Sequence, residues 1–207
     1  MIKISASILS SNDRISCIKN LNNTDADFIH IDVMDNKFVP NYQLPLKEVN
    51  TLGKYSIKPF DIHLMVEDPE PFIKGLAINN ISCITIHVEI NKDIPKIINL
   101  IKSLGYQVGI AIKPNTDINQ IKDYLNDIDK IIVMSVEPGF GGQKFIENTP
   151  ERINNIKEMN KNIIIEVDGG INNETIQLIK ESTDIAVVGS YITNSEDYQE
   201  AINNLKN

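Results

Sequence analysis

One rhythm constrains this chain more than any single residue. Short runs rich in Ile and Val recur along its 207 residues, with amphipathic stretches of helical period between them. The strand-like runs are Ile2–Ala6, Phe28–Val33, Phe60–Met65, Cys83–Val88, Gln107–Ile112, Lys130–Val136, Ile163–Asp168 and Ile185–Val188. Most lack polar alternation, as strands buried on both faces do. The clearest helical stretch is Asn91–Leu104, with Ile94, Ile97, Ile98 and Ile101 on one face. Thr116–Asn126, Thr149–Asn160, Asn172–Ser182 and Ser195–Leu205 have the same period, and Asn12–Leu21, Leu46–Leu52 and Pro69–Ile78 show it more weakly. Asn12, Asp117, Thr149 and Asn172 are the candidate N-caps. Strict β/α alternation implies a parallel sheet. About 26 residues per unit (207 over eight) leave room for a strand, a helix and two short loops. A minimal (β/α)₈ TIM barrel and a doubly wound open sheet both satisfy that count. No GxGxxG follows the first run and no linker divides the chain. The expected fold is therefore α/β: a (β/α)₈ barrel in a single compact domain over residues 1–207.

Composition narrows the function classes. Hydrophobic residues make up 42% of the chain, enough for a sizeable core without a disulfide or a structural metal. The net charge of −8 supplies no electrostatic footprint for nucleic acid or for an anionic membrane. An anionic ligand would have to be held by local groups. Cys17 and Cys83 are far apart and form no CxxC pair, which fits a reducing compartment. No apolar run reaches the ~18 residues of a membrane span. The opening MIKISASILS has one Lys and no long apolar centre, so no signal peptide is expected and a cytoplasmic location is.

The reactive residues fall where a barrel would place them, at the C-terminal ends of strands. The only three histidines lie on successive runs: His30 in FIHIDVMD, His63 in DIHLMV and His87 in TIHVE. Asp168 closes the seventh run. Positions i and i+2 of a strand share a face, so His30 and Asp32 can project together. His30, Asp32, His63 and Asp168 then form a candidate N₂O₂ set that suits Zn²⁺, Fe²⁺, Mn²⁺ or Co²⁺ better than Mg²⁺ or Ca²⁺. His87 is left over, as a wall of that site or as a structural residue. Met34 and Met65 stand two residues beyond Asp32 and His63, and Met134 ends the sixth run, so thioethers would ring the site. Glycines cluster after three consecutive runs: Gly139, Gly141 and Gly142 after the sixth, Gly169 and Gly170 after the seventh, and Gly189, with Ser190, after the eighth. Barrels commonly hold phosphate on backbone N–H groups in the loops after the seventh and eighth strands. The PGFGG segment also has the glycine hinges of a mobile lid.

SASILS, HIDVMDNKFVPN, DIHLMV, VMSVEPGFGGQKF, EVDGGI and VVGS resemble, in order and spacing, the ribulose-phosphate 3-epimerase family. The resemblance covers essentially the whole chain. It implies a (β/α)₈ barrel that interconverts D-ribulose 5-phosphate and D-xylulose 5-phosphate in the pentose phosphate pathway with one divalent metal. It implies His30, Asp32, His63 and Asp168 as metal ligands and Asp32 and Asp168 as the acid/base pair. Ser7 is implied to contact the sugar. Gly139, Phe140, Gly141, Gly142, Gly169, Gly170, Gly189 and Ser190 are implied to line the substrate and phosphate site, with Met34, Met65 and Met134 around the intermediate. The chemistry it implies is proton removal from C3 on one face and proton return on the other, through an ene-diolate. The implied partners are a small sugar phosphate and further copies of the chain, as a dimer or a hexamer. The chain departs from the family pattern at Ala6, where many members have Pro, and at Asn36, where many have Gly. NNISC (79–83) and KPNT (113–116) also differ. A D-allulose-6-phosphate 3-epimerase and a non-catalytic sugar-phosphate-binding barrel are the alternatives. A Schiff-base lyase is disfavoured, since Lys113 is the only lysine near a strand end.

Overall fold

The computed structural model describes all 207 residues. Eight parallel strands close into a barrel: β1 (Lys3–Ser7), β2 (Phe28–Asp35), β3 (Phe60–Met65), β4 (Ile81–His87), β5 (Gln107–Ile112), β6 (Lys130–Met134), β7 (Ile164–Asp168) and β8 (Ile185–Val188). Each pairs with the next, and β1 pairs with both β2 and β8, which closes the ring. The expected runs match these strands to within two residues at each end. A two-residue strand, Tyr42–Gln43, adds antiparallel to Met34 and Asp35 of β2. It is too short and too polar to show in the pattern.

Around the barrel run α1 (Arg14–Leu21), α2 (Leu46–Leu52), α3 (Glu70–Gly75), α4 (Ile94–Ser103), α5 (Thr149–Met159), α6 (Ser190–Thr193) and α7 (Tyr198–Lys206). Helix α4 follows its sequence closely. Asp93 caps it by accepting from the Lys96 N–H at 3.0 Å, and Ile94, Ile97, Ile98 and Ile101 are all buried against the barrel. The expected helices at 116–126 and 172–182 are instead short 3₁₀ turns, Ile118–Tyr124 and Thr175–Leu178. Each buries a single residue, Ile121 or Ile176, so no apolar stripe holds a longer helix to the sheet. Asp13, rather than Asn12, caps α1, and Thr149 is the first residue of α5 rather than its cap. Asn172 accepts from the Glu174 and Thr175 N–H groups just ahead of its turn. Asp117 caps as expected, accepting from Asn119.

Strand register decides what meets at the barrel mouth. Ser7 lies beside His30, Asp32 beside His63, and Met134 beside Asp168. Asn36, just past β2, has φ +58, a left-handed conformation that Asn tolerates better than other side chains. The replacement of Gly there is therefore physically mild.

Candidate active site

Four side chains point their donor atoms at one spot. Asp32 Oδ1 lies 3.4 Å from His30 Nε2 and 3.5 Å from His63 Nδ1. Asp168 Oδ2 lies 3.8 Å from His30 Nε2 and 3.3 Å from His63 Nδ1. One atom from each residue falls within a mutual 4.8 Å. Both imidazoles are fully buried, yet His30 Nε2 and His63 Nδ1 have no hydrogen-bond partner. Buried polar atoms without partners are costly. A cation among these two nitrogens and two carboxylate oxygens would satisfy all four, so the residues present fit a divalent metal. The charge balance agrees. Burial alone would lower the affinity of His30 and His63 for protons. The carboxylates around them outweigh it and raise both, His30 well above its ordinary value. Asp32 is held well below the usual carboxylate range, because His30 and His63 overcome the opposing effect of burial.

The second oxygen of Asp32 is also accounted for: Ser7 Oγ donates to Oδ2 at 2.8 Å. Asp168 is the more open carboxylate, its side chain 13% exposed against 5% for Asp32. Ser135 fixes the end of β7 from behind, donating to the Asp168 and Gly169 carbonyls.

His87 does not reach the spot. It stands behind His63, Nε2 to Nε2 at 2.9 Å, and its Nδ1 meets Glu89 Oε2 at 2.9 Å. Glu89 Oε1 in turn accepts from the Lys113 N–H and the Thr116 hydroxyl. Burial, reinforced by His63, pushes His87 down to about 4 despite Glu89, so it is neutral at pH 7. A neutral His87 that donates from Nδ1 to Glu89 presents a lone pair at Nε2. That lone pair accepts the Nε2 proton of His63 and leaves His63 Nδ1 free to ligate. Of the two readings left open, the structural one fits the geometry.

Above the four residues opens a cavity of about 360 Å³. Asp32 and Asp168 form its floor with Met34, Met65 and Met134. Ser7, Gly139, Phe140, Gly141, Gly142, Gly169, Gly170, Gly189 and Ser190 also line it. The expected substrate-side residues share one cavity except His63, which is fully buried and does not line it. No Lys or Arg lines it. An anion there would rest on backbone N–H groups and hydroxyls, consistent with a chain of net charge −8. Gly169 cannot be replaced freely: its φ is +120 and a Cβ would fall 2.3 Å from Val136. In the loop after β6, Asn41 donates to the Gly139 carbonyl at 2.7 Å, and Gln143 donates to the Glu137 and Phe140 carbonyls. Phe140 itself is 55% exposed at the rim.

Residues 3–193 match the profile of the ribulose-phosphate 3 epimerase family. The chain belongs to that family. It is 36% identical to the ribulose-phosphate 3-epimerase of Bacillus subtilis (strain 168), over 100% of this chain and 99% of that one. It is 38% identical to the ribulose-phosphate 3-epimerase of Helicobacter pylori (strain J99 / ATCC 700824), over 100% and 97%. Among solved structures, KGPDC from Streptococcus mutans superposes with a TM-score of 0.75 at 16% identity, over 100% of this chain and 96% of that one. That likeness speaks for the barrel fold alone. The family is an enzyme family of epimerases, a class of isomerase.

A second polar layer lies one step deeper. Ser5, Asp61, Lys130 and Glu166 are all buried inside the barrel. Each of Ser5, Asp61 and Glu166 sits two residues before a site residue (Ser7, His63, Asp168), just as His30 precedes Asp32. The period-2 rule that pairs His30 with Asp32 puts all four on the inward face, Lys130 by way of Met134 four residues on. Burial opposes the charge of Lys130, but Asp61 and Glu166 outweigh it and keep the ammonium protonated far above its usual range.

Proposed function

We infer that this protein interconverts D-ribulose 5-phosphate and D-xylulose 5-phosphate by moving the C3 proton between the two faces of the sugar. The observation that carries the reading is the pair of carboxylates, Asp32 on β2 and Asp168 on β7, at the floor of one cavity in a chain of this family. The residues that contribute run from Ser7 to Ser190, so we treat residues 1–207 as one sugar-phosphate-binding domain. His30, Asp32, His63 and Asp168 would hold the metal. The donor set favours Zn²⁺, Fe²⁺, Mn²⁺ or Co²⁺, and a bound divalent cation supplies Lewis acidity to the oxygens beside the reacting carbon.

The chain's own groups do the proton work. One carboxylate removes the C3 proton. The C3–H electron pair moves into the C2–C3 bond, and the C2 carbonyl oxygen takes up the negative charge. The other carboxyl, carrying a proton, delivers it to the opposite face of C3. The roles exchange in the reverse direction, so one group must be ionised while the other is protonated. Ser7 holds Asp32 in place through its hydroxyl. Met34, Met65 and Met134 present soft apolar surface to the planar intermediate without adding a competing proton donor. The loops at Gly169–Gly170, Gly189–Ser190 and Gly139–Gly142 offer N–H donors to the phosphate, and the last can close over it.

Proton NMR of ribulose 5-phosphate with the enzyme in D₂O tests the assignment. Xylulose 5-phosphate labelled with deuterium at C3 is the expected product. A persisting C3 proton with metal bound would defeat the substrate assignment, and allulose 6-phosphate would then be the next substrate to try.

A further inference from the structure

The mechanism above makes no use of the buried charges beneath the site. Lys130, at the start of β6, extends its ammonium into the barrel interior between Asp61 of β3 and Glu166 of β7. The side chains of these three residues are at most 4% exposed. Each carboxylate divides its two oxygens in the same way. Asp61 turns Oδ1 to Lys130 at 2.5 Å and Oδ2 to His30 Nδ1 at 3.3 Å. Glu166 turns Oε2 to Lys130 and Oε1 to His30 Nδ1 at 3.4 Å. Ser5 Oγ donates to Asp61 Oδ2 at 3.0 Å and completes the arrangement. His30 and Lys130 therefore face each other across two shared carboxylates, with the far side of the imidazole ring, Nε2, aimed at Asp32 and Asp168.

We propose that Lys130 is a positioning residue for the metal ligand His30: by holding the far oxygens of Asp61 and Glu166, it fixes both near oxygens on His30 Nδ1. The inference rests on the reading of His30 as a metal ligand. Three physical points support it. Two buried carboxylates this close repel unless a cation lies between them, and the ammonium is that cation. His30, Asp61 and Glu166 form a donor group compact enough to hold a metal of their own. The lysine occupies that role, so the carboxylates do not draw an ion away from the site above. Asp61 Oδ2 also accepts from Nδ1, with Glu166 Oε1 in ion-pair range beside it, so the proton is fixed on Nδ1 and Nε2 is left as the lone pair for the metal, the usual division of labour around a ligating imidazole.

The test uses the full-length enzyme with two variants, Lys130→Met and the double variant Lys130→Met/Glu166→Gln. Counted formally, the wild-type trio of Lys130, Asp61 and Glu166 carries a net −1. The double variant keeps that net charge on Asp61 alone, so it can fold even where the single variant does not. Zn²⁺ affinity is measured by chelator competition, and the visible spectrum of the Co²⁺-loaded protein reports ligand geometry independently of turnover. We expect Zn²⁺ to bind about tenfold to a hundredfold more weakly in each variant that folds, the usual effect of losing a group behind a ligand, and the Co²⁺ bands to shift. Wild-type affinity and an unchanged Co²⁺ spectrum in the double variant would overturn the proposal and leave Lys130 a charge-balancing core residue. Failure of the wild-type protein, or equal binding by wild type and His30→Ala, would instead refute the metal reading on which the proposal stands.

Discussion

In the proposed reaction Asp32 and Asp168 would each serve twice, as metal-facing oxygens and as proton-transfer groups. Asp32→Asn or Asp168→Asn should lower kcat by at least about a hundredfold, the lower range for loss of a positioned acid or base. Near-normal turnover in a metal-loaded Asn variant would rule out the two-base assignment. The histidines make a sharper prediction. The partners of His30 place its proton on Nδ1, whereas those of His63 place it on Nε2. With three histidines in the chain, ¹⁵N NMR of the metal-loaded protein can resolve all of them. Opposite tautomers for His30 and His63 are expected, and matching tautomers would show that the hydrogen-bond chains are misassigned. Much of this site was legible in the sequence, because ligand-type residues recurred at the ends of successive apolar runs. The roles of His87 and Lys130 were not. His87 lies two residues from Glu89, and only tertiary packing shows that it faces His63 from behind. Lys130 opens an apolar run, where a lysine normally marks the solvent edge of a strand. Alternation from Met134 puts its side chain on the inward face, but nothing local announces the two acids from other strands that it meets there.

The same contrast holds for the secondary elements. Where a segment carries a whole apolar stripe and a cap, sequence and structure agree, as in α4. Ile101 is fully buried there, so Ile101→Ala should cost about 2–5 kcal/mol. Asp93→Ala should cost about 1 kcal/mol through loss of the cap. Urea denaturation measures both, and a cost near zero for Ile101→Ala would contradict the packing described. Where a segment has one buried anchor, as at Ile121 and Ile176, periodicity overstated the helix. The loops divide similarly. Asn36 shows that a left-handed position can accept a residue other than Gly. Gly169 shows the opposite, since any Cβ there meets Val136. The first is a question of backbone preference, which sequence can suggest. The second depends on a neighbour 33 residues away.

At the scale of the whole molecule, metal and proton compete for the same barrel mouth. In the metal-free protein His30 and His63 titrate above their unfolded value near 6.5. The stability they contribute is fully present below about pH 6.5 and is lost as pH rises through the higher folded values. Asp32, held low, contributes in the other sense: its share is present above the ordinary carboxylate range near pH 4 and disappears in acid. Removing the metal should therefore destabilise the protein more at about pH 8 than at about pH 6. Zn²⁺ at a hundredfold excess over its Kd is worth about 2.7 kcal/mol. For a chain of this size that raises Tm by about 5–10 °C. Thermal scans with and without Zn²⁺ across that pH range check both magnitude and trend, and a Tm indifferent to Zn²⁺ would refute the linkage. No helix is long and apolar enough to cross a membrane. Ring closure has a consequence for how the protein is made. The strand that emerges first from the ribosome, β1, finds its second neighbour only in β8, some 180 residues later. Translation proceeds at about 5–20 residues per second, so β1 waits roughly 10–40 s with one edge open. Until then Ser7, His30 and Asp32 stand apart from Asp168 and Gly189, and a nascent chain cannot assemble the proposed site before β8 has been synthesised.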